Sequence, residues 1–336
     1  MLLSSFFLVL LFMTRIYSDT FSMIVTYGKP TNFTSYVSFF AISWDDCVIQ
    51  CYKSMSCVVA HSTVSPISCN LYDVNKIFGV EKLEAADGFL VAFKVMNNQS
   101  FCPIGDNPPT FGEGTNHGIV TNDVGKCAYD INFDNTNTWQ LTYTAIPDCP
   151  YGWTIFTRPT TKWCIQVTGG ADITYTQSQA LSYCEQLEAT LTGLETTNER
   201  DFVANTAIDI LGPEYPQFAG FWVSGVRKSE CYADGWQDIP YCTGTNLQQF
   251  SFSDDYLSSY SGYTWDYEQP DRNAVGQWSN CIQIWIRNEA KFPNLTYSLY
   301  ANGNVDDAVC DGVDYQDYYL RGFACGKLPV IPDGAC

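Results

Sequence analysis

Cysteine is the residue type with the greatest capacity for chemistry in this sequence. The 336-residue chain contains 15 cysteines, and all of them lie after residue 18. Oxidising compartments, in which thiols pair as disulfides, routinely produce such a density, whereas cytosolic chains rarely carry it. The cysteines therefore predict an exported protein that is stabilised by disulfide bonds.

Groups that could perform catalysis are few and badly placed. The two histidines, His61 and His117, both precede residue 149, and neither has a Ser or Cys nucleophile motif beside it. A catalytic triad or a zinc hydrolase site therefore has nowhere to form. Asp254 and Asp255 are adjacent in a polar loop, whereas a glycosidase needs two carboxyl groups across a cleft. We predict that the chain is not an enzyme.

The first 18 residues have the pattern of a signal peptide. An apolar run over residues 2–13 precedes Arg15 and a small residue, Ser18. This run is shorter than the roughly 20 apolar residues that span a membrane, and no later segment approaches that length. The tail, residues 327–336, is too short and polar for a lipid-anchor signal. The pattern predicts a secreted, extracellular protein without a membrane anchor, with glycosylation sequons at Asn32, Asn98 and Asn294.

The net charge excludes two classes of partner. The chain has a formal charge of −19, and removal of residues 1–18 deletes one cation, Arg15, and no acid, which gives −20. A surface this acidic repels the phosphate backbone of nucleic acids and anionic membranes.

The N-terminal segment, residues 20–96, combines strand-like runs with one short helix. Residues 23–27 have a strand pattern, and Ser43 is a good N-cap for a helix that carries Cys47 and Cys51 on one face. Cys57 and Cys69 follow in β-rich stretches. We expect two bridges that join the helix to the sheet, because structural zinc sites favour Cys-x-x-Cys pairs.

Residues 97–148 are rich in Asn, Gly, Pro and Thr and show no sustained helical period. We interpret them as a linker or a loosely built extension. Cys102 and Cys127 could close a loop of about 25 residues within it, which would contribute a few kcal/mol to stability.

From residue 149 the sequence predicts two helices followed by β-structure. Thr176 can cap a helix with an apolar stripe formed by Ala180, Leu181, Cys184, Leu187 and Leu191. Thr196 and Glu199 have the spacing of a capping box at the start of a second helix. Residues 221–223 look like the strand that follows, so the fold class is α+β.

The same segment, residues 149–326, resembles the C-type lectin-like domain, with two helices, antiparallel sheets and a long loop region. The matching motifs occur in the family's order, at residues 222–225, 265–271, 281–284, 303–310 and 322–325. The resemblance implies disulfides between Cys184 and Cys325, Cys281 and Cys310, and Cys149 and Cys164. An additional pair, Cys231 and Cys242, would close an insertion. Cys336 is left over and could link two chains or be capped by a small thiol.

The N-terminal segment resembles a PAN/apple-like module, in particular the version fused to C-type lectin domains in nematode secreted proteins. The resemblance rests on Trp44 and the spacing of Cys47, Cys51, Cys57 and Cys69. It implies a small α+β domain held by disulfides, without a shared chemistry.

In the C-type lectin family, sugar binding uses a calcium ion whose open coordination positions accept two sugar hydroxyls. The resemblance places four ligands here: Gln269 and Asp271, around a cis proline at Pro270, and Asp306 and Asp307. The Gln-Pro-Asp triplet is associated with galactose-type sugars. Trp278 could stack on the sugar, or could simply pack within the loop.

Two departures weaken this site. Galactose-type sites usually place an aromatic ring close after the triplet, whereas Arg272 and Asn273 stand there. Ser279 stands where the family has a glutamate, so one charged ligand is missing. Two functions therefore stay open. One is a lectin that binds glycans or glycoproteins, with Ca²⁺ as cofactor, and the other is a lectin-like fold that binds a protein partner without calcium or sugar.

Overall fold

The protein is described by a computed structural model over residues 21–63, 68–96, 116–121, 125–134, 136–215, 218–274, 277–293, 300–314, 318–331 and 336. The described residues before Cys149, together with Ile331 and Cys336, form one compact unit, and Cys149–Val330 forms a second. The predicted signal peptide, Cys102 and the sequons at Asn98 and Asn294 lie outside the described residues.

The N-terminal unit is built on a nine-stranded antiparallel sheet with one helix. The strand order is β2-β4-β3-β6-β1-β5-β9-β8-β7. The elements in chain order are β1 (Phe21–Phe33), β2 (Val37–Phe39), α1 (Trp44–Lys53), β3 (Cys57–Thr63), β4 (Cys69–Asp73), β5 (Ile77–Lys82), β6 (Phe89–Met96), β7 (Asn116–Thr121), β8 (Lys126–Phe133) and β9 (Thr138–Ile146).

Helix α1 begins where the sequence predicts it. The Ser43 hydroxyl accepts a hydrogen bond from the Asp46 backbone N–H at 3.1 Å, which satisfies one of the free donors of the first turn. Cys47 and Cys51 face inward, and their bridges to Cys69 and Cys57 join the helix to β4 and β3. The two predicted bridges are therefore present.

The prediction of a linker over residues 97–148 is wrong for residues 126–146. Strands β8 and β9 pair over eight residues and bury Tyr129, Ile131 and Trp139 in the core of the sheet. The alternation of buried and exposed positions in these strands was not recognised in the sequence, because the region is rich in Asn, Thr and Gly and is interrupted by short polar turns.

The predicted pairing of Cys102 with Cys127 is also wrong. Cys127 forms a disulfide with Cys336, and the Cys336 carbonyl accepts a hydrogen bond from the Asn75 side chain at 2.6 Å. The prediction favoured a short loop, but strand β8 fixes the position of the Cys127 sulfur, and the C-terminal residue reaches it. Cys336 is consequently not a spare thiol for a disulfide-linked dimer.

The C-terminal unit contains an eight-stranded sheet and two helices. The order β10-β11-β19-β13-β17-β18 is extended by β12 beside β19 and β14 beside β13. Strands β13 and β19 are parallel, and the other pairs are antiparallel. The elements are β10 (Thr154–Thr157), β11 (Lys162–Gly169), α2 (Gln177–Gln186), β12 (Thr190–Leu191), α3 (Thr197–Leu211), β13 (Phe218–Arg227), β14 (Phe250–Ser251), β15 (Asn273–Ala274), β16 (Gln277–Trp278), β17 (Cys281–Ile286), β18 (Val305–Ala308) and β19 (Tyr318–Lys327).

Both predicted helices begin at their caps. Thr176 and Thr196 accept hydrogen bonds from the N–H groups of Gln179 and Glu199, each at 3.2 Å. The predicted apolar stripe of α2 is too long, because the helix ends at Gln186 and Leu191 belongs to β12. The four disulfides expected in this unit are present: Cys149–Cys164, Cys184–Cys325, Cys231–Cys242 and Cys281–Cys310.

An ion-pair network fixes the end of the β10–β11 hairpin to α3. The Arg158 guanidinium contacts Glu199 and Asp254, with nitrogen–oxygen distances of 2.9 Å to each, and all three side chains are fully enclosed. Asp254 also accepts the Gly193 backbone N–H at 2.8 Å. This network holds the start of α3 and the loop after β14 in fixed positions.

Candidate functional site

The four residues predicted to hold calcium do come together. Asp306 and Asp307 lie on β18, and Gln269 and Asp271 lie in the loop before the β15–β16 hairpin. The Gln269–Pro270 peptide bond is cis, as predicted. The Asp271 backbone N–H donates to Asp307 Oδ1 at 3.0 Å, which joins the loop to the strand.

Asp307 already has a cationic partner within the protein. Its Oδ2 accepts a hydrogen bond from an Nη atom of Arg227 and another from the Arg272 backbone N–H at 3.1 Å. The Arg227 and Asp307 side chains are fully enclosed. Burial raises the pKa of Asp307 to about 6 against the opposing effect of Arg227, so the carboxylate is ionised at neutral pH. Both of its oxygens therefore face protein donors.

Arg227 is the last residue of β13 and is held on several sides. Its guanidinium lies 4.6 Å from the centre of the Phe250 ring. It also donates to the Ser279 carbonyl at 3.3 Å and to Gln249 Oε1. A cation enclosed in this way keeps its charge because it has a carboxylate and neutral acceptors around it.

Two of the other three predicted ligands, Gln269 and Asp306, also have protein partners for their side chains. Gln269 Oε1 accepts the Asp271 backbone N–H at 3.0 Å, and Asp306 Oδ2 accepts from the Gln283 side chain at 3.1 Å. Burial, with the nearby carboxylates of Asp307 and Asp271, raises the pKa of Asp306 well above its usual range. No hydrogen bond from a described residue reaches Asp306 Oδ1.

These residues do not fit a calcium ion. Calcium requires six to eight oxygen atoms directed at one point, but here the Arg227 guanidinium lies against the carboxylate of Asp307, one of the four predicted ligands. Ser279, at the glutamate position of the family, is fully buried and accepts from Arg227 through its carbonyl. In the described part of the chain, no group of three or more His, Cys, Asp or Glu residues is arranged to hold a metal.

A second arginine, Arg272, holds the insertion closed by the Cys231–Cys242 disulfide. Its guanidinium donates to the Cys231 carbonyl at 2.9 Å and also to the Cys242 carbonyl. It lies 3.8 Å from the centre of the Trp236 ring. Burial, with the nearby charge of Arg227, lowers the pKa of Arg272 to about 10, which leaves the side chain charged at neutral pH.

Trp278 belongs to a group of three rings that we call the aromatic cluster: Tyr232, Trp236 and Trp278. The Trp278 ring centre is 6.4 Å from each of the other two, and the Trp236 and Trp278 rings are perpendicular. Trp278 is 46% exposed and Tyr232 is 39% exposed. Arg272 packs against Trp236, and the exposed rings of Tyr232 and Trp278 therefore lie beside a ring that is fixed in position.

Arg227 and Arg272 were missed by the sequence reasoning. A signal for Arg227 was present, because it ends a strand that is otherwise apolar or small, and a buried cation requires a carboxylate nearby. Arg272 stands where galactose-type sites usually have an aromatic ring, and no signal in the sequence indicated a buried charge there.

The sheet order, the two helices and the disulfides define a C-type lectin-like domain in the second unit. The chain belongs to the family described as C-type lectin domain-containing protein 141/158, which matches residues 155–328. Residues 23–95 match the PAN-like domain family. These matches confirm the C-type lectin-like and PAN-like resemblances inferred from the sequence, whereas the nematode type stays a prediction, and no curated protein matches the chain.

Several solved structures are similar to this chain at low sequence identity. The cow carbohydrate-recognition domain of CD23, solved with a GlcNAc2Man3 oligosaccharide, is 18% identical, covers 55% of this chain and 99% of its own length, and has a TM-score of 0.34. The mouse scavenger receptor C-type lectin domain is 16% identical, with coverages of 55% and 100% and a TM-score of 0.33. The herring type II antifreeze protein is 18% identical, with coverages of 54% and 99% and a TM-score of 0.32.

Proposed function

We propose that this chain is a secreted binding protein whose C-type lectin-like domain recognises carbohydrate without calcium. The observation that carries the proposal is the enclosed ion pair between Arg227 and Asp307. A guanidinium supplies, within the protein, the positive charge that the family otherwise obtains from a bound ion. The hydroxyl pair of a sugar then has no metal to coordinate, and recognition depends on side chains.

The aromatic cluster is the surface that we assign to this recognition. Exposed rings on a rigid base offer apolar faces for the C–H face of a sugar, and they lose little conformational freedom on binding. Exposed carboxylates at Asp234 and Asp238, in the same disulfide-closed insertion, can accept hydrogen bonds from hydroxyls. Under this proposal Trp278 takes the stacking role, one of the two alternatives predicted for it, whereas Gln269, Asp271, Asp306 and Asp307 become the frame that supports the loop. The proposed activity is binding, without a chemical conversion.

Export and glycosylation are part of the same proposal. Seven disulfides in the described residues support an oxidising compartment. Asn32 of β1 is exposed, so its sequon is accessible to modification. No helix in the described ranges is long and apolar enough to cross a membrane.

Binding to a glycan array, in parallel with and without a calcium chelator, tests the proposal. We expect the same glycans to bind in both conditions. We also expect no calcium-specific rise in melting temperature at roughly 10⁻² M calcium, a concentration above the range of about 10⁻⁴–10⁻³ M for extracellular sites. Loss of binding in chelator contradicts the proposal. An array on which no glycan binds favours the alternative, recognition of a protein partner.

A further inference from the structure

A cleft of about 610 Å³ opens among the residues that follow β13. Its volume lies within the range of about 300–1,000 Å³ that is usual for ligand sites. Its lining residues run from Lys228 to Tyr260 and include neither Trp278 nor any of the four predicted calcium ligands. The cleft is therefore distinct from the site described above.

Aromatic side chains form much of the lining: Tyr241, Phe250, Phe252 and Tyr260. The Phe252 and Tyr260 ring centres are 5.1 Å apart, and the enclosed guanidinium of Arg227 lies against Phe250. Tyr260 has a φ of 55°, in the left-handed region that bulky residues rarely adopt. Hydrogen bonds from the neighbouring backbone to Glu195 hold that segment. The apolar walls are thus formed before any ligand arrives.

The polar side-chain groups of the lining are one ammonium, two amides and two hydroxyls. Lys228 is the one lining residue that carries a charge at neutral pH, and no Asp or Glu lines the cleft. The Lys228 ammonium lies 5.4 Å from the centre of the Tyr241 ring and forms no ion pair with a described residue. The exposed amides of Asn246 and Gln248 add donors and acceptors.

We propose that this cleft is a second ligand site, which binds a pyranose that carries a carboxylate. The aromatic walls match the apolar face of a sugar ring, the amides match its hydroxyls, and the Lys228 ammonium matches the carboxylate. The Tyr241 hydroxyl donates to the Glu230 carboxylate at 3.3 Å, so the Lys228 ammonium is the group of the lining that can hold an anion in a chain of net charge −19. This site needs neither calcium nor the aromatic cluster.

Titration calorimetry in the presence of a calcium chelator tests the proposal with matched ligands. The probes are the methyl glycosides of glucuronic acid and N-acetylneuraminic acid, and methyl glucoside is the uncharged counterpart of the first. We expect at least one acidic glycoside to bind ten-fold or more tightly than the glucoside. Lys228→Gln should remove that preference. Lys162→Gln is the matched control, because Lys162 is exposed and does not line the cleft, and it should bind as the wild type does.

The outcomes separate this site from the proposed function. The cleft proposal is overturned if neither acidic glycoside is preferred over the glucoside, or if Lys228→Gln keeps the preference. Either result leaves chelator-insensitive binding of array glycans at the aromatic cluster unaffected. Conversely, if array binding is lost in chelator while the Lys228-dependent preference persists, the function proposed for the cluster fails and the cleft proposal stands.

Discussion

Two enclosed arginines of the lectin-like domain, Arg158 and Arg227, differ in what they neutralise. Arg158 lies between two carboxylates, those of Glu199 and Asp254. Arg227 has one carboxylate, Asp307, and otherwise contacts neutral acceptors. Both side chains are fully enclosed, so the difference lies in the partners and not in the degree of burial.

The comparison separates a structural cross-link from a substitute for an ion. Arg158 joins a hairpin, a helix and a loop, and its guanidinium lies 4.6 Å from the centre of the buried Trp163 ring. Arg227, with Arg272 beside it, lies below the loop that carries the aromatic cluster, in the place where the family's calcium ligands converge. The same kind of residue therefore stabilises the domain in one place and, under the proposed function, replaces a metal in the other.

Loss of Arg158 should produce the largest effect on stability. Arg158→Met leaves Glu199 and Asp254 buried without their cation, which costs about 3–5 kcal/mol. Denaturant unfolding with the disulfides intact measures this change. The control is Arg200→Met, at the partly exposed pair with Asp201, which should cost about 1 kcal/mol or less. Equal effects of the two variants would remove the distinction between a cross-link and a surface pair.

His61 shows what happens to a buried basic group that has no carboxylate. It is 7% exposed, neither ring nitrogen has a hydrogen-bond partner among the described residues, and its ring stacks on Phe89. Burial, with the charge of Lys29, lowers the pKa of His61 from 6.5 to about 4. The side chain is therefore neutral at pH 7, in contrast with the two arginines.

The pKa of His61 predicts a loss of stability in acid. Between pH 6.5 and about 4 the His61 imidazole is protonated in the unfolded chain but not in the folded chain. The free energy of unfolding therefore falls as the pH falls. The full loss, reached below pH 4, is about 3 kcal/mol. His61→Phe should remove this part of the pH dependence, which is measured as the difference from wild type. His117→Phe, at an exposed position, is the control, and a wild-type slope in His61→Phe would contradict the prediction.

The next prediction is a gain of calcium binding in a double variant. Arg227→Ala with Ser279→Glu removes the guanidinium and supplies the missing carboxylate. We expect calcium, at ten to a hundred times its Kd, to stabilise this double variant by about 1–3 kcal/mol, with little effect of magnesium. Thermal unfolding with each ion measures the shift. Arg227→Ala with Ser279→Gln has the same shape without the charge and should respond much less, and an equal response would show that the charge is irrelevant.

The sequence predicted the secondary-structure elements better than it predicted which distant residues contact each other. Caps at Ser43, Thr176 and Thr196 located the helices, because a cap is a local hydrogen bond between near neighbours. The disulfide of Cys127 with Cys336 spans 209 residues, and no local pattern reports such a contact.

In the candidate site, too, the local features could be predicted and the long-range contact could not. Its acids and the cis Pro270 could be located because family motifs are contiguous, whereas the neutralising arginine comes from another strand. Whether Asp307 faces an ion or Arg227 depends on packing between β13 and β18, which the spacing of residues along the chain does not encode.

The smallest effect on stability, and a decisive one for function, is expected at the aromatic cluster. Trp278→Ala removes a ring that is 46% exposed, so the free energy of unfolding should change by about 0.5 kcal/mol or less. Loss of the stacking surface should nevertheless lower glycan affinity ten-fold or more, because a few exposed aromatic side chains carry much of the binding energy at such surfaces. Tyr151→Ala, at a fully exposed tyrosine outside the cluster, is the control for removing a surface ring and should leave both quantities unchanged. If Trp278→Ala retains wild-type affinity, the cluster is not the recognition surface. If Trp278→Ala lowers the free energy of unfolding by several kcal/mol, the ring belongs to the core of the loop. The contrast between the enclosed arginines and an exposed recognition surface is then wrong.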